Sequence, residues 1–421
     1  MRNFKDNSYR VLGKDFNQSE NSFDTGLNNN ILVTGISGCG KTGSYVIPNL
    51  YSTAGSIVVA DTKSQLFKKH SKNLKKRGYK TLLLDFVNPE LSCGFNPLKA
   101  IERRTEMIDG KPVKKYRQQD VMSIATLMVP KGLDDEPFWE DSARQVVLSL
   151  IAYVLEVLPE EEQHMGSVNA LYREMCREIG TSDDFKDVSF FKALGEKDPE
   201  SFAFKKYCMY AVNFKAEKCW SSISMFVSNA LAVYDIDENA KMLCTSGFDL
   251  TDIGKKKTAV FVNISDVDRS MDSIVNIFYT QLFQKLIRNA DSRDNGRLPV
   301  PVHIILDDFA SNVFIPDFDK ILSVIRSRDI SASIILQSLS QLEGMYKNGR
   351  ASTIINNCDT MLYMGGQDVD TARFFADKAG KLPENILAMD LDHEWIFMRG
   401  KKARLVEKVK PYSMGPADFE V

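Results

Sequence analysis

The chain has 421 residues, 43% of them hydrophobic and 26% charged, with a formal net charge of −2. Those proportions fit a globular protein with a sizeable core, and the near-neutral balance excludes a global attraction to nucleic acid or anionic lipid, leaving that to local basic clusters. Seven cysteines without a C-x-x-C pair and four widely spaced histidines argue against a zinc site or a disulfide framework, and for reduced thiols in a cytosolic compartment.

Residues 1–27 are polar, lack the apolar region of a signal peptide and read as a poorly structured lead-in. The first strand expected is "ILVTG" (31–35), and it runs directly into Gly35-Ile36-Ser37-Gly38-Cys39-Gly40-Lys41-Thr42. This fits G-x-x-x-x-G-K-[ST] in full, between an apolar strand and a plausible helix. Glycines let successive backbone N–H groups curl around phosphates, and the helix that follows adds its positive end. Gly35, Ser37, Gly38, Cys39, Gly40, Lys41, Thr42 and Gly43 are therefore the candidate phosphate-binding set. Lys41 would neutralise β- and γ-phosphate charge, and Thr42 would offer a hydroxyl to Mg²⁺.

Two more apolar runs follow, "SIVVAD" (56–61) and "KTLLLD" (80–85). Residues from about 100 to 250 then read as mostly helical, with patterns over 118–129, 142–158, 168–179 and 219–234. The most membrane-like window, "VVLSLIAYVL" (146–155), falls well short of the roughly 20 apolar residues a span needs, so the chain reads as soluble. Trp139 and Trp220 lie beside these helical patterns, and core packing is the simpler reading for both.

Strands resume with "TAVFVNI" (258–264), a helix over 272–290, and "HIILDD" (303–308). In the last, an apolar strand delivers Asp307 and Asp308 to the edge where ligands of open α/β sheets gather. Asp307 is the candidate Mg²⁺ holder with Thr42, and Asp308 the group that orients or deprotonates an attacking water. A helix over 317–328 carries Arg326 and Arg328, and "ASIILQ" (332–337) ends on Gln337. The runs "TMLYMGG" (360–366) and "WIFMRG" (395–400) complete the strands. Near-continuous apolar strands alternating with helices predict an α/β fold with a mostly parallel sheet covered on both faces. The division expected is a sheet domain of residues 28–100 and 250–421, interrupted by an all-α domain over 101–249. Basic runs at 68–80, 111–117, 254–257 and 399–404 are candidate nucleic-acid contacts, although lysine runs more often form a solvated face.

With these motifs in place, the sequence resembles the conjugative coupling proteins of type IV secretion, the TraG/TraD-like DNA-translocating ATPases, over residues from about 28 to 390. "GISGCGKTGSYVIPNL" matches the family's phosphate motif with its trailing Pro-Asn-Leu, and "GFNPL" (94–98) its Asn-Pro-Leu turn. "PFWEDSARQVVLSLIAYV" matches the start of the helical insert. "IILDDFASNVFIPDFDKILSVIRSRDISASIILQSLSQLEGMY" is the most specific stretch. The resemblance implies a RecA-like P-loop ATPase, hexameric when active with a monomer allowed in isolation, that uses ATP and Mg²⁺ to hand relaxase-bound single-stranded DNA to a secretion channel. It places the family's phosphate-loop residues on Lys41 and Thr42, its metal aspartate on Asp307, its catalytic acid on Asp308, its arginine finger on Arg326 and its glutamine on Gln337. It further implies a cytoplasmic location at the inner face of the cell membrane, with relaxase or effector proteins as partners.

Three departures accompany it. Asp308 stands where glutamate is usual, and Lys63-Ser64-Gln65-Leu66 where Lys-Gly-Glu-Leu is common. The transmembrane helices usual at the start of the family are not found, which leaves two readings: an anchor was lost, or a separate membrane anchor protein recruits the chain. Two other readings stay open: a nucleotide-binding docking adaptor with weak ATPase activity, and a DNA-pumping ring ATPase of the FtsK/HerA type unconnected with secretion.

Overall fold

The computed structural model describes residues 8–108, 110–131, 137–180, 188–309 and 314–419. The chain divides into two compact units, one of Met1–Val87, Asp249–Asp272 and Tyr279–Val421, the other of Asn88–Phe248 and Ser273–Phe278.

The first unit is built on a nine-stranded sheet. In chain order its strands are β3 (Ile31–Thr34), β4 (Ser56–Ala60), β5 (Lys80–Asp85), β8 (Thr258–Asn263), β9 (Val302–Leu306), β10 (Ile330–Leu336), β11 (Thr360–Tyr363), β12 (His393–Met398) and β13 (Arg404–Glu407). Their spatial order is β13-β12-β11-β3-β10-β9-β4-β8-β5. The seven from β11 to β5 are parallel, whereas β12 and β13 pair antiparallel. Every residue of β3, β4, β8, β9, β10 and β11 is buried. Continuous apolar sequence is what a strand with both faces covered needs. The run at 395–400, read with the other strands, is the antiparallel β12, shifted two residues towards the N-terminus.

Residues 8–27, expected to be a poorly structured lead-in, are ordered instead. β1 (Tyr9–Gly13) and β2 (Phe16–Ser19) form an antiparallel hairpin, followed by a one-turn helix Ser22–Thr25. Burial explains it: Arg10 is 1% exposed and ion-paired with Glu20, and Val11 and Leu12 enter the core. Asn49 holds the hairpin, accepting from Val11 N–H (3.0 Å) and donating to Val11 O (2.9 Å) and Tyr45 O (2.8 Å). This gives the Asn of the Pro-Asn-Leu sequence a structural task. Its neighbour Pro48 has no N–H to continue the helical ladder, and the preceding segment Lys41–Val46 is correspondingly wound as a wide π-turn before Ile47–Ser52 resumes as α-helix.

The second unit was expected to be all-α. Helices Gln118–Met128, Phe138–Val157, Met165–Gly180 and Glu217–Leu231 stand where periodicity places them, joined by others at Ser189–Lys197, Phe202–Ala211 and Asp237–Cys244. It also carries the hairpin β6 (Arg103–Ile108) and β7 (Lys111–Tyr116), so it is not purely helical. Residues 88–100, read as sheet domain, belong to this unit too. There Asn96 of the Asn-Pro-Leu turn donates to Gln163 O (2.8 Å), and its Oδ1 accepts from Leu98 N–H (3.0 Å). Trp220 is a core residue against Phe214, whereas Trp139 is 37% exposed and packs edge-on to Phe138, itself 48% exposed.

Candidate functional site

The register of the sheet brings the expected motifs to one edge. Leu336 lies opposite Thr34, so β3 and β10 end level, and Leu306 lies opposite Ile334, so β9 ends two residues earlier and Asp307 and Asp308 continue towards the same edge. Gly35 N–H donates to Leu336 O (3.1 Å) and Ile36 N–H to Gly365 O (3.1 Å), fixing the start of the loop between β10 and β11.

The loop needs its glycines. A Cβ on Gly35 would lie 2.5 Å from Cys39 Sγ, and Gly40 adopts φ 100, in the left-handed region. Lys41 is 8% exposed, and its Nζ donates to Gly35 O (2.7 Å) and Ile36 O (3.0 Å), holding the ammonium within the loop's curl. Helical winding begins at Lys41, so the amides of this first turn have no partner of their own in the helix and can bond an anion. Ser44 Oγ is buried without a hydrogen-bond partner among the described residues.

Thr42 Oγ1 donates to Asp307 Oδ2 over 2.8 Å. Asp307 is 6% exposed, and its carboxyl is pushed up to about 6 by burial and then by the Asp308 charge, against the hydrogen bond from Thr42 and the charge of Lys41. A buried, partly neutralised carboxylate beside a hydroxyl suits a divalent cation, whose charge would restore the ionised form. Asp308 is half-buried, donates its N–H to Asp307 Oδ1 (3.1 Å), and has φ 49. The backbone therefore turns sharply there, in the left-handed region.

Gln337 follows the last residue of β10, level with Gly35, and its N–H donates to Gln341 Oε1 (3.1 Å). Arg326 is elsewhere. It precedes β10, at the opposite edge of the sheet, roughly 23 Å away at about 3.3 Å per strand residue. There Arg326 Nη2 donates to Gly26 O (3.3 Å), as does Arg399 Nη2 (2.5 Å). Lys41, Thr42, Asp307, Asp308 and Gln337 thus share one edge, and Arg326 faces away from it.

Several neighbours of the site were not legible in sequence. Lys408, which follows β13, is 7% exposed, and its Nζ donates to Cys39 O (3.3 Å), Met364 O (2.7 Å) and Leu391 O (2.9 Å). Burial holds its pKa below the usual lysine value, opposed by Cys39, Glu394 and Asp392. Glu394 on β12 is 2% exposed and pushed up to about 8 by burial, with Lys408 opposing. No local pattern marks either residue; only pairing of β12 and β13 onto β11 brings them here.

The basic runs fall on different elements. Helix Leu66–Lys76 buries Leu66, Ser71 and Leu74 and exposes Lys68, Lys69, Lys72, Lys75 and Lys76. Lys256 pairs with Asp252, and Lys257 lies over the Tyr79 ring. Residues 111–117 lie on and just after β7, and 399–404 join β12 to β13. The helix that carries the basic run starts at Leu66, and the Asp61 carboxylate in the turn before it accepts from Gln65 (3.1 Å) and Leu66 (2.8 Å) N–H. Ser64, standing where the resembled family has glycine, has φ 52. Among the described residues, no helix is long and apolar enough to cross a membrane.

Residues 4–382 match the family described as Type IV secretory system Conjugative DNA transfer. The chain is 22% identical over 415 residues to Protein VirD4 of Agrobacterium fabrum, covering 91% of this chain and 58% of that protein. It is 22% identical over 360 residues to the Conjugal transfer protein TraG of Escherichia coli, covering 81% and 53%. It therefore spans little more than half the length of these relatives. Among solved structures it is similar to the plasmid coupling protein TrwB in complex with the non-hydrolysable ATP analogue ADPNP, with a TM-score of 0.63 at 15% identity over 93% of this chain and 89% of that one. It is likewise similar to TrwB with ADP and Mg²⁺, with a TM-score of 0.57 at 14% identity over 93% and 88%. These likenesses establish the RecA-like P-loop fold.

Proposed function

From the premise that this chain belongs to the Type IV secretory system Conjugative DNA transfer family, we propose that it is an ATP-driven coupling protein that delivers single-stranded DNA, or a relaxase–DNA substrate, to a type IV secretion channel. The observation that carries the reading is the meeting of Thr42 and Asp307 (2.8 Å) under a complete phosphate loop.

Each residue has a distinct task in this reading. The loop amides from Gly35 to Gly43 cradle the phosphate chain, and Lys41 moves from its loop carbonyls to the β- and γ-phosphates. Thr42 Oγ1 and Asp307 hold Mg²⁺, which when bound neutralises charge developing on the transferred phosphoryl group. Asp308 orients the attacking water and takes its proton, and Gln337 hydrogen-bonds the γ-phosphate. Arg326 serves the neighbouring subunit's site, because its own lies across the sheet. The active form is accordingly a homo-oligomeric ring, which we assign as a hexamer working at the inner face of the membrane. The exposed lysines of helix Leu66–Lys76 supply a surface for phosphodiester backbone.

One observation favours a second reading. Asp308 is one methylene shorter than glutamate, so its carboxylate reaches less far towards an attacking water. A docking adaptor with slow turnover would show nucleotide binding without DNA stimulation. The deciding experiment measures ATPase rate and particle mass together, with and without single-stranded DNA, in wild type and Lys41→Ala. DNA-stimulated hydrolysis that rises with protein concentration and is lost in the variant supports the motor. Nucleotide binding with no hydrolysis under oligomer-forming conditions sinks it.

A further inference from the structure

Residues 408–412 form a strap against the phosphate loop, and its two ends grip that loop differently. At one end, the Lys408 ammonium bonds Cys39 O of the loop and Met364 O beyond β11. Val409 is buried beneath. At the other end, Pro411 and Tyr412 lie directly on the glycines that open the helix. A Cβ on Gly43 would be 3.0 Å from Pro411 Cβ and 3.1 Å from Tyr412 Cε2, and one on Gly40 would be 3.3 Å from Pro411 Cγ. Tyr412 N–H donates to Gly43 O (3.3 Å).

Tyr412 itself is held in an uncommon state. Its φ is 62, a left-handed conformation that a bulky residue adopts only where its surroundings impose it. Its side chain is 69% exposed, so core packing is not what imposes it. The backbone bond to Gly43 and the stacked Pro411 do, and the result is an aromatic ring with one edge on the loop helix and most of its surface in solvent.

We propose that this strap is the nucleoside half of the nucleotide site and that Tyr412 is the platform on which the purine base stacks. The proposal rests on the reading that residues 35–42 bind a nucleoside triphosphate. With Lys41 and Thr42 committed to the β- and γ-phosphates and Mg²⁺, the α-phosphate and sugar leave the loop on the side of the helix's first turn, over Gly43. That is where the ring stands. Gly43 lacks the side chain that would push the strap away, and Lys408 ties the strap to the loop so that platform and phosphate cradle keep a fixed separation. Stacking uses the π-face common to all bases, so adenine and guanine nucleotides gain similarly from it.

The test compares Mg²⁺·ADP with Mg²⁺·tripolyphosphate, which carries phosphates and no base, by isothermal titration of the full chain. Tyr412→Ala should weaken ADP roughly ten-fold, the scale of one aromatic–base stack. It should leave tripolyphosphate affinity unchanged and, because the ring is exposed, leave the thermal unfolding midpoint unchanged. Tyr412→Trp should retain ADP affinity. Undiminished ADP affinity in Tyr412→Ala, or an equal loss for both ligands, overturns the platform alone. Failure of the wild type to bind either ligand overturns the nucleotide reading beneath it, and the platform with it.

Discussion

Thr42 and Asp307, separated by 265 residues, share a hydrogen bond of 2.8 Å. They do not come from neighbouring strands. β3 feeds the loop that carries Thr42, β9 carries Asp307, and β10 lies between them. The helix after the loop therefore starts over the end of β10, and Gln337 at that end sits under the same space. The contact fixes three strand ends to one another before any ligand is considered.

The position of Arg326 separates a site complete in one chain from a site shared between two. Lys41→Ala and Arg326→Ala should each lower ATPase activity at least about a hundred-fold, the scale of a lost phosphate-stabilising cation. Mixing the two inactive proteins should restore part of the activity, because a ring then contains interfaces pairing an intact Lys41 with an intact Arg326. Rates measured across mixing ratios check this. A mixture as inactive as its components would show that Arg326 has no role in trans.

Asp307 makes stability depend on pH in a direction opposite to that of a salt-bridged carboxylate. Its pKa is raised from 3.8 to about 6 in the fold, so the unfolded chain gives up this proton first. The group's contribution is therefore intact below about pH 4 and lost as pH climbs through 6, a swing of about 3 kcal/mol. Asp307→Asn removes the ionisation while keeping an acceptor for Thr42. In nucleotide-free denaturant titrations the variant should be more stable than wild type at pH 7.5, and the gap should close by pH 4. A constant gap would mean that Asp307 does not titrate in this range.

Asp308→Glu should raise turnover roughly ten-fold, within the usual range for a general base brought into reach. Mg²⁺·ADP affinity should stay as it is, since the residue is assigned to the water and not to the metal. Single-turnover and equilibrium measurements on the same preparation separate the two effects. Unchanged turnover would mean that aspartate, at φ 49, already reaches the water.

Ser64→Gly should stabilise the protein by about 1 kcal/mol. Ser64 holds φ 52, a strain that glycine does not feel, and the Asp61 cap of the next helix is unaffected because it is bonded to later amides. Urea unfolding midpoints read the change. A loss of stability would indicate that the serine side chain makes a contact outweighing its backbone strain.

The buried strands were readable because both faces of β3, β4, β8, β9, β10 and β11 are covered, so that only scattered buried polar residues such as His303, Ser331 and Ser333 interrupt the apolar runs. The edge strand β13, "RLVE", gave no such signal because it has no buried residue. The hairpin Tyr9–Ser19 was missed because its one deeply buried charge, Arg10, makes sense only beside Glu20 and Ser331, the latter 321 residues away. In the second unit the dipeptide Asp109-Gly110 between β6 and β7 was a usable hairpin signal that the surrounding charge obscured. For the site, motif spacing was enough for Lys41, Thr42 and the acidic pair. It was silent on Lys408 and Tyr412, whose surroundings arise from sheet pairing and not from sequence neighbours.

The bond from Lys408 to Cys39 spans 369 positions of chain. On a ribosome the glycine loop emerges long before the lysine that braces it, and β12 and β13 must join the sheet before that brace can form. A nascent chain would thus carry a phosphate loop without its strap, unable to grip a nucleotide firmly until synthesis has passed this region. The braced form of the loop would arrive late in translation, after the rest of the sheet is in place.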